Sequence, residues 1–240
     1  MRVEPHEVGS CLHVVQRGAR GSNIVRDSRD RDWFRRALYY LNDTHADSNW
    51  RREVALLGKE FGRPRHWPER EPLVRILAWT LLTNHFHLVL QEVRPDGLAK
   101  FMQRLNGSAT MCYNAKYGEK GSLFQGSYRG KRVTLDAHLQ YLAFYVLVKN
   151  VLEMYPGGLK AAQQEFGRAW QWAMQYPYSS LGPLCTGRTH PIVDDPENLF
   201  RQACQNPEAF KAEARALLDE YLERKDATEE HDDLWTIVKV

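Results

Sequence analysis

Two histidines flank a single phenylalanine in the stretch TNHFHLVL, residues 83–90. In an extended strand, side chains two residues apart share a face. His85 and His87 therefore project together, while Phe86 and Leu88 point the other way. Two imidazoles on one face can grip one divalent ion through one ring nitrogen each. The same pair also fits two hydrogen-bonded histidines at a strand edge, and the residues alone leave both readings open. Asn84, just before the pair, is placed either to cap a turn or to hold an imidazole by its other nitrogen.

The elements that must position this pair are legible in the flanking pattern. Residues 74–81 and 85–93 are apolar and rich in β-branched residues, and they read as two strands joined by a tight turn near Thr83-Asn84. CLHVVQR, residues 11–17, reads as an earlier strand, followed by the Gly-rich, Arg-bearing turn GARGSN. A helix is expected from SRDRDWFRRALYYLND, capped by Asp30 or Ser28, with Trp33, Phe34, Ala37, Leu38 and Leu41 on its apolar side. Residues 43–72 carry Pro64, Pro68 and Pro72 and read as an insert with one short helix. A long helix follows Asp96, with Leu98, Phe101, Met102, Leu105 and Ala109 facing the core. GSLFQGSYRGKRV reads as a loop with a short strand. A helix capped by Asp136 runs to the Pro156-Gly157-Gly158 stop. Another helix and a Tyr-Pro loop occupy LKAAQQEFGRAWQWAMQYPYSSLG, and residues 196–225 read as amphipathic helices. This order predicts an α+β, ferredoxin-like architecture, an antiparallel sheet with helices on one face and a helical C-terminal extension. The main domain is placed at residues 1–185 and the extension and tail at 186–240.

The chain has 240 residues with 43% hydrophobic and 26% charged content, ordinary values for a globular protein. No apolar run approaches the ~20 residues that span a bilayer, and MRVEPHEVGS has no apolar signal core. Cys11, Cys112, Cys185 and Cys204 are widely spaced, so reduced thiols and a cytoplasmic location are expected. Net charge is +3, but its distribution is uneven. Between Arg94 and Arg132 eight basic residues stand against two acidic ones, leaving +6, while DATEEHDD balances it near the end. A local positive patch suits a phosphate backbone.

The segment AWTLLTNHFHLVL resembles the His-hydrophobic-His strand of the HUH endonucleases, and within them the one-tyrosine transposases, above all the REP-associated tyrosine transposases. LHVVQRGARG, GSLFQGSYRGKRV and WAMQYPYSSLG resemble, in the same order, that family's first strand, its Gly-x-Leu-aromatic-Gln-Gly stretch and its Trp and Ser-Ser close. The match runs over residues 9–183. It implies a nucleophilic tyrosine on the helix DAHLQYLAFYVLVKN: Tyr145 first, with Tyr141 one turn earlier in reserve. It also implies Mg2+ or Mn2+ on His85 and His87, a 5′-phosphotyrosine intermediate, and single-stranded or hairpin DNA as partner, with no membrane role. Relatives act as monomers or swap helices between subunits, so a homodimer is one assembly the resemblance implies. The family places Asn or Gln four residues after its tyrosine as a third ligand, where this chain has Lys149. An ammonium cannot ligate a metal. Asn150 is next, but ~140° round an α-helix from Tyr145. Asn150 is the candidate third ligand only if the helix ends or distorts there, and Lys149 reads instead as a phosphate contact.

A DNA surface is expected from Arg17 and Arg20 at the end of the first strand and from Tyr128, Arg129, Lys131 and Arg132 in the basic loop. Two other functions share these residues. One is a non-catalytic binder of structured nucleic acid on the same scaffold, and the other is a rolling-circle replication initiator.

Overall fold

The computed structural model describes residues 3–58, 60–133 and 139–227. The expected cap Asp136 and the end of the tail, LWTIVKV included, lie outside the described residues. The chain forms two compact units. The first comprises the residues up to Leu77, Thr83–Arg132 and Thr189–Asp195; the second comprises Ala78–Leu82, Val133–Arg188 and the residues from Pro196 onward.

Four strands, β1 (Cys11–Arg17), β2 (Val74–Leu81), β3 (His85–Glu92) and β4 (Arg129–Arg132), form one sheet in the order β2-β3-β1-β4. β1 runs antiparallel to both β3 and β4. The class is α+β, as the sequence predicts. In the first unit, α1 (Ser28–Tyr40), α2 (Trp50–Ala55) and α3 (Gly97–Tyr117) accompany the sheet. Phe34 of α1 meets Phe86 of β3 at 4.9 Å between ring centroids. Leu98, Phe101, Met102, Leu105 and Ala109 of α3 are all buried, the five residues the 3.6-residue period selects.

The cap of α1 differs from expectation. Neither Ser28 nor Asp30 is the N-cap: Asp27 is, with extended backbone and a side chain that accepts from the Asp30 amide. The Asp30 carboxylate returns the bond to the amides of Asp27 and Arg26. Reciprocal satisfaction of these exposed donors is the capping-box arrangement, which places the start one residue earlier than the apolar pattern suggests.

The second unit is built on helices α4 (Leu139–Ala143), α5 (Asn150–Leu152), α6 (Gly158–Gln164), α7 (Phe166–Gln175), α8 (Leu181–Thr186), α9 (Leu199–Ala203) and α10 (Pro207–Ala227). The single helix expected across 159–175 is two, because Glu165 leaves helical geometry at φ −119°, ψ 43°. The last residues of β2 belong to this unit and pair with the Tyr-Pro loop: the Leu81 amide donates to the Tyr178 carbonyl and the Ser180 amide to the Trp79 carbonyl. The Trp79 amide in turn donates to the Ser180 hydroxyl at 2.9 Å. The Ser-Ser pair thus closes a strand end that would otherwise leave buried backbone groups unbonded.

Among the described residues, no helix is long and apolar enough to cross a membrane. The four cysteines form no disulfide.

Candidate metal and nucleophile sites

β1 and β3 bring His13, His85 and His87 together. Their register sets Arg17 opposite His85, Val15 opposite His87 and His13 opposite Val89. Residues opposite each other in an antiparallel pair share a face. His13, His85, His87 and Arg17 therefore lie on one side, with Arg129 and Lys131 of β4 beside them through the pairs Val15–Arg129 and His13–Lys131. The other side carries Leu12, Val14, Phe86 and Leu88.

Both predicted ligands are held by the same ring position. His85 Nδ1 lies 2.6 Å from Asn84 Oδ1. The Asn84 amide nitrogen donates to the Gly21 carbonyl, which identifies the atom facing His85 as the acceptor oxygen. His85 Nδ1 then carries the proton, and Nε2 presents the lone pair. His87 Nδ1 lies 2.9 Å from Nε2 of His13, with the two rings stacked at 5.2 Å. The rings of His85 and His87 stand 5.0 Å apart at 73°. His85 is 5% exposed and His87 is fully buried.

His13 is the residue the sequence reading missed. Its signal was available only through pairing: it sits diagonally across from His87, a contact set by a register 74 residues apart in sequence. Burial, and then the Lys131 ammonium, hold its imidazole down at about 4. It is therefore neutral near pH 7 and able to accept at one nitrogen.

The basic residues distribute unevenly. Arg17 is half-buried, while Arg20, Arg129 and Arg132 are exposed. Among the described residues, none of these four guanidinium groups is in an ion pair. Arg20 has φ 55°, in the left-handed region, within a short turn at Ala19–Gly21. The turn is entered through Gly18, where a Cβ would stand 2.0 Å from the Ser22 carbonyl oxygen, so no side chain fits. The loop 123–126 staples the end of β1: Ala19 donates to Leu123, Gln125 to Arg17, and the Gln16 side chain to Gly126. Phe124 is buried edge-on to Phe86. Tyr128 is half-buried, with its phenol pushed up by burial and by Glu92.

The tyrosines lie in the second unit. The helix after α4 does not stay α-helical: Phe144–Lys149 is a π-helical turn. The Asn150 amide donates to the Tyr145 carbonyl, five residues back, where an α-helix would use Val146. The carbonyl of Val146 is instead taken by the Thr80 hydroxyl at 2.7 Å. A side chain from β2 thus enters the helical ladder, a recognised cause of such a distortion. One extra residue in the turn takes back ~100°, which leaves Asn150 ~40° from Tyr145 rather than ~140°. The distortion on which Asn150 depended is present.

Asn150 is fully buried, and neither atom of its side-chain amide has a hydrogen-bond partner among the described residues. Tyr145 is 4% exposed, and its ring stands 6.4 Å from that of Tyr141. Lys149 is 1% exposed and is not a surface cation. Its ammonium pairs with Glu153 and lies 4.8 Å over the Tyr145 ring and 5.0 Å over the Tyr221 ring of α10.

The donor set fits a divalent ion in kind. In the first unit, the imidazoles of His85 and His87 each have Nδ1 engaged. Among the described residues, no group of three or more His, Cys, Asp or Glu side chains is clustered to hold an ion.

No family model matches the chain, and no curated protein matches it. Among solved structures it is similar to a REP-associated tyrosine transposase bound to a REP hairpin. Identity is 12% over 81% of this chain and 90% of that one, with a TM-score of 0.43, a distant structural relation.

Proposed function

We propose that this chain is a metal-dependent single-strand DNA transposase or endonuclease that cleaves and rejoins hairpin or repeat DNA through a 5′-phosphotyrosine intermediate. The observation that carries the reading is the use of the same ring nitrogen by His85 and His87. Each engages Nδ1 with a neighbour, as a ligand imidazole does. His85, His87 and Asn150 would hold Mg2+ or Mn2+. When bound, such an ion supplies Lewis-acid polarisation of a phosphate oxygen.

The remaining chemistry belongs to the chain. Tyr145 is the nucleophile, with Tyr141 the reserve. Its phenol oxygen forms a bond to the phosphorus as the P–O3′ bond breaks. The phenol proton passes to the departing oxygen, which leaves as a 3′-hydroxyl. The phosphotyrosine stores the bond, so a second 3′-hydroxyl can reverse the step and join strands without an external energy source. Arg17, Arg20, Arg129, Lys131 and Arg132 would track the phosphates, and Tyr128 would stack on a base. Lys149 serves differently from the expected phosphate contact: its charge is spent on Glu153 and two tyrosine rings.

The test is an incubation with end-labelled hairpin DNA and Mn2+ or Mg2+. The reading expects a covalent adduct that retains the 3′ label and releases the 5′ label, and that disappears with a chelator. An adduct retaining the 5′ label, or none at all, contradicts it.

A second reading, a non-catalytic binder of structured nucleic acid on this scaffold, draws on one observation: at 4% exposure Tyr145 is packed like a core residue. Hairpin binding with no adduct under any metal condition would select it.

A further inference from the structure

We infer that His13 is a positioning residue for the metal site, fixing the tautomer of His87 so that Nε2 is the nitrogen offered to a divalent cation. The inference rests on the proposed function for the identity of the ligand, and on the geometry of β1 and β3 for the rest.

Neutral imidazole carries one proton on two nitrogens, so a ring can offer Nε2 to a cation only if Nδ1 holds the proton. At His85 the acceptor that enforces this is Asn84 Oδ1. At His87 the atom in the corresponding place is Nε2 of His13, 2.9 Å from Nδ1. A histidine can serve as that acceptor only with its own proton on Nδ1. The rings stack at 20°, which restrains His87 rotation as well as its tautomer. His13 is 6% exposed and faces Lys131 across the β1–β4 pair. The two ligands are thus oriented by different means. One is a neighbour in sequence; the other is supplied by the adjacent strand. His13 would touch neither DNA nor metal and would act through His87.

The test uses the full chain and two readouts. In the metal-free wild type, long-range 15N–1H correlation spectra of the imidazoles should show His87 protonated at Nδ1. A His87 protonated at Nε2 overturns the inference whether or not metal binds. Mn2+ affinity is then measured by paramagnetic titration on wild type, His13→Gln and His13→Met. Gln retains an acceptor and Met fills the space without one. We expect His13→Met to weaken Mn2+ binding roughly 10- to 100-fold, with His13→Gln within a few-fold of wild type. Equal affinity for wild type and His13→Met overturns the positioning role. Should wild type bind no Mn2+, the proposed function fails, while the tautomer measurement still decides what His13 does. If His13→Met does not fold, the wild-type spectra together with His13→Gln carry the test.

Discussion

The histidine face of the sheet and the π-helical turn of the second unit solve the burial of polar groups in opposite ways. On the sheet, Asn84 engages His85 and His13 engages His87, each at Nδ1. In the turn, the Asn150 amide is sealed from solvent without a partner among the described residues, and the Val146 carbonyl is satisfied from β2. A satisfied polar network stiffens its residues, whereas an orphan buried amide costs stability unless a ligand completes it. The first region is therefore preorganised and the second strained.

The largest expected effect separates the two tyrosines of the turn. Tyr145→Phe removes only the hydroxyl and should lower adduct formation on the order of 10^3-fold or more, while Tyr141→Phe stays within about 10-fold. Quantifying adduct on denaturing gels checks this, and the reverse pattern would hand the chemistry to Tyr141.

The next concerns the stiff region. The His13 imidazole is held down from 6.5 to about 4, with Lys131 of β4 and His87 of β3 facing it. Between these values the unfolded chain binds a proton that the folded chain refuses. Stability from this group is thus complete above pH 6.5 and falls as pH drops, by on the order of 3 kcal/mol near pH 4. Denaturant titrations of metal-free protein across that window should show a steeper loss in wild type than in His13→Gln. Parallel losses would contradict it.

Two smaller effects of opposite sign sharpen the contrast within the strained region. Thr80→Val leaves the Val146 carbonyl without its donor and should destabilise by about 1–3 kcal/mol. Asn150→Leu removes an amide with no partner among the described residues and should stabilise the metal-free protein by about 1 kcal/mol or more, even as it weakens Mn2+ binding. Chemical denaturation measures both. A destabilised Asn150→Leu would show that the amide is satisfied in the apo protein.

The same contrast explains what could be read in advance. Strand alternation is local, so the shared face of His85 and His87 and the bounds of β1 and β2 follow from residue types alone. The core face of α3 follows equally from its period. The Asp27 cap was missed by one residue, because Asp27, Ser28 and Asp30 are all able caps and only the backbone angle chooses among them. His13 was out of reach, and Asn150 could be named only on condition of a helix distortion, for a different reason. The first depends on the register of β1 against β3. The second depends on a hydroxyl 66 residues upstream that diverts one carbonyl and turns the helix by a residue. Spacing rules assume 3.6 residues per turn, and here Lys149 occupied the position that rule selects. Lys149 itself was read as a phosphate contact, and its ammonium is enclosed by Glu153, Tyr145 and Tyr221.

The most direct test of the proposed chemistry is to digest the protein–DNA adduct with trypsin and locate the nucleotide-bearing residue by tandem mass spectrometry. The stretch between Arg132 and Lys149 holds both Tyr141 and Tyr145, and fragmentation distinguishes them. The account predicts a 5′-phosphonucleotide on Tyr145. A nucleotide on any other residue, or no modified peptide from DNA-bound protein, would contradict it.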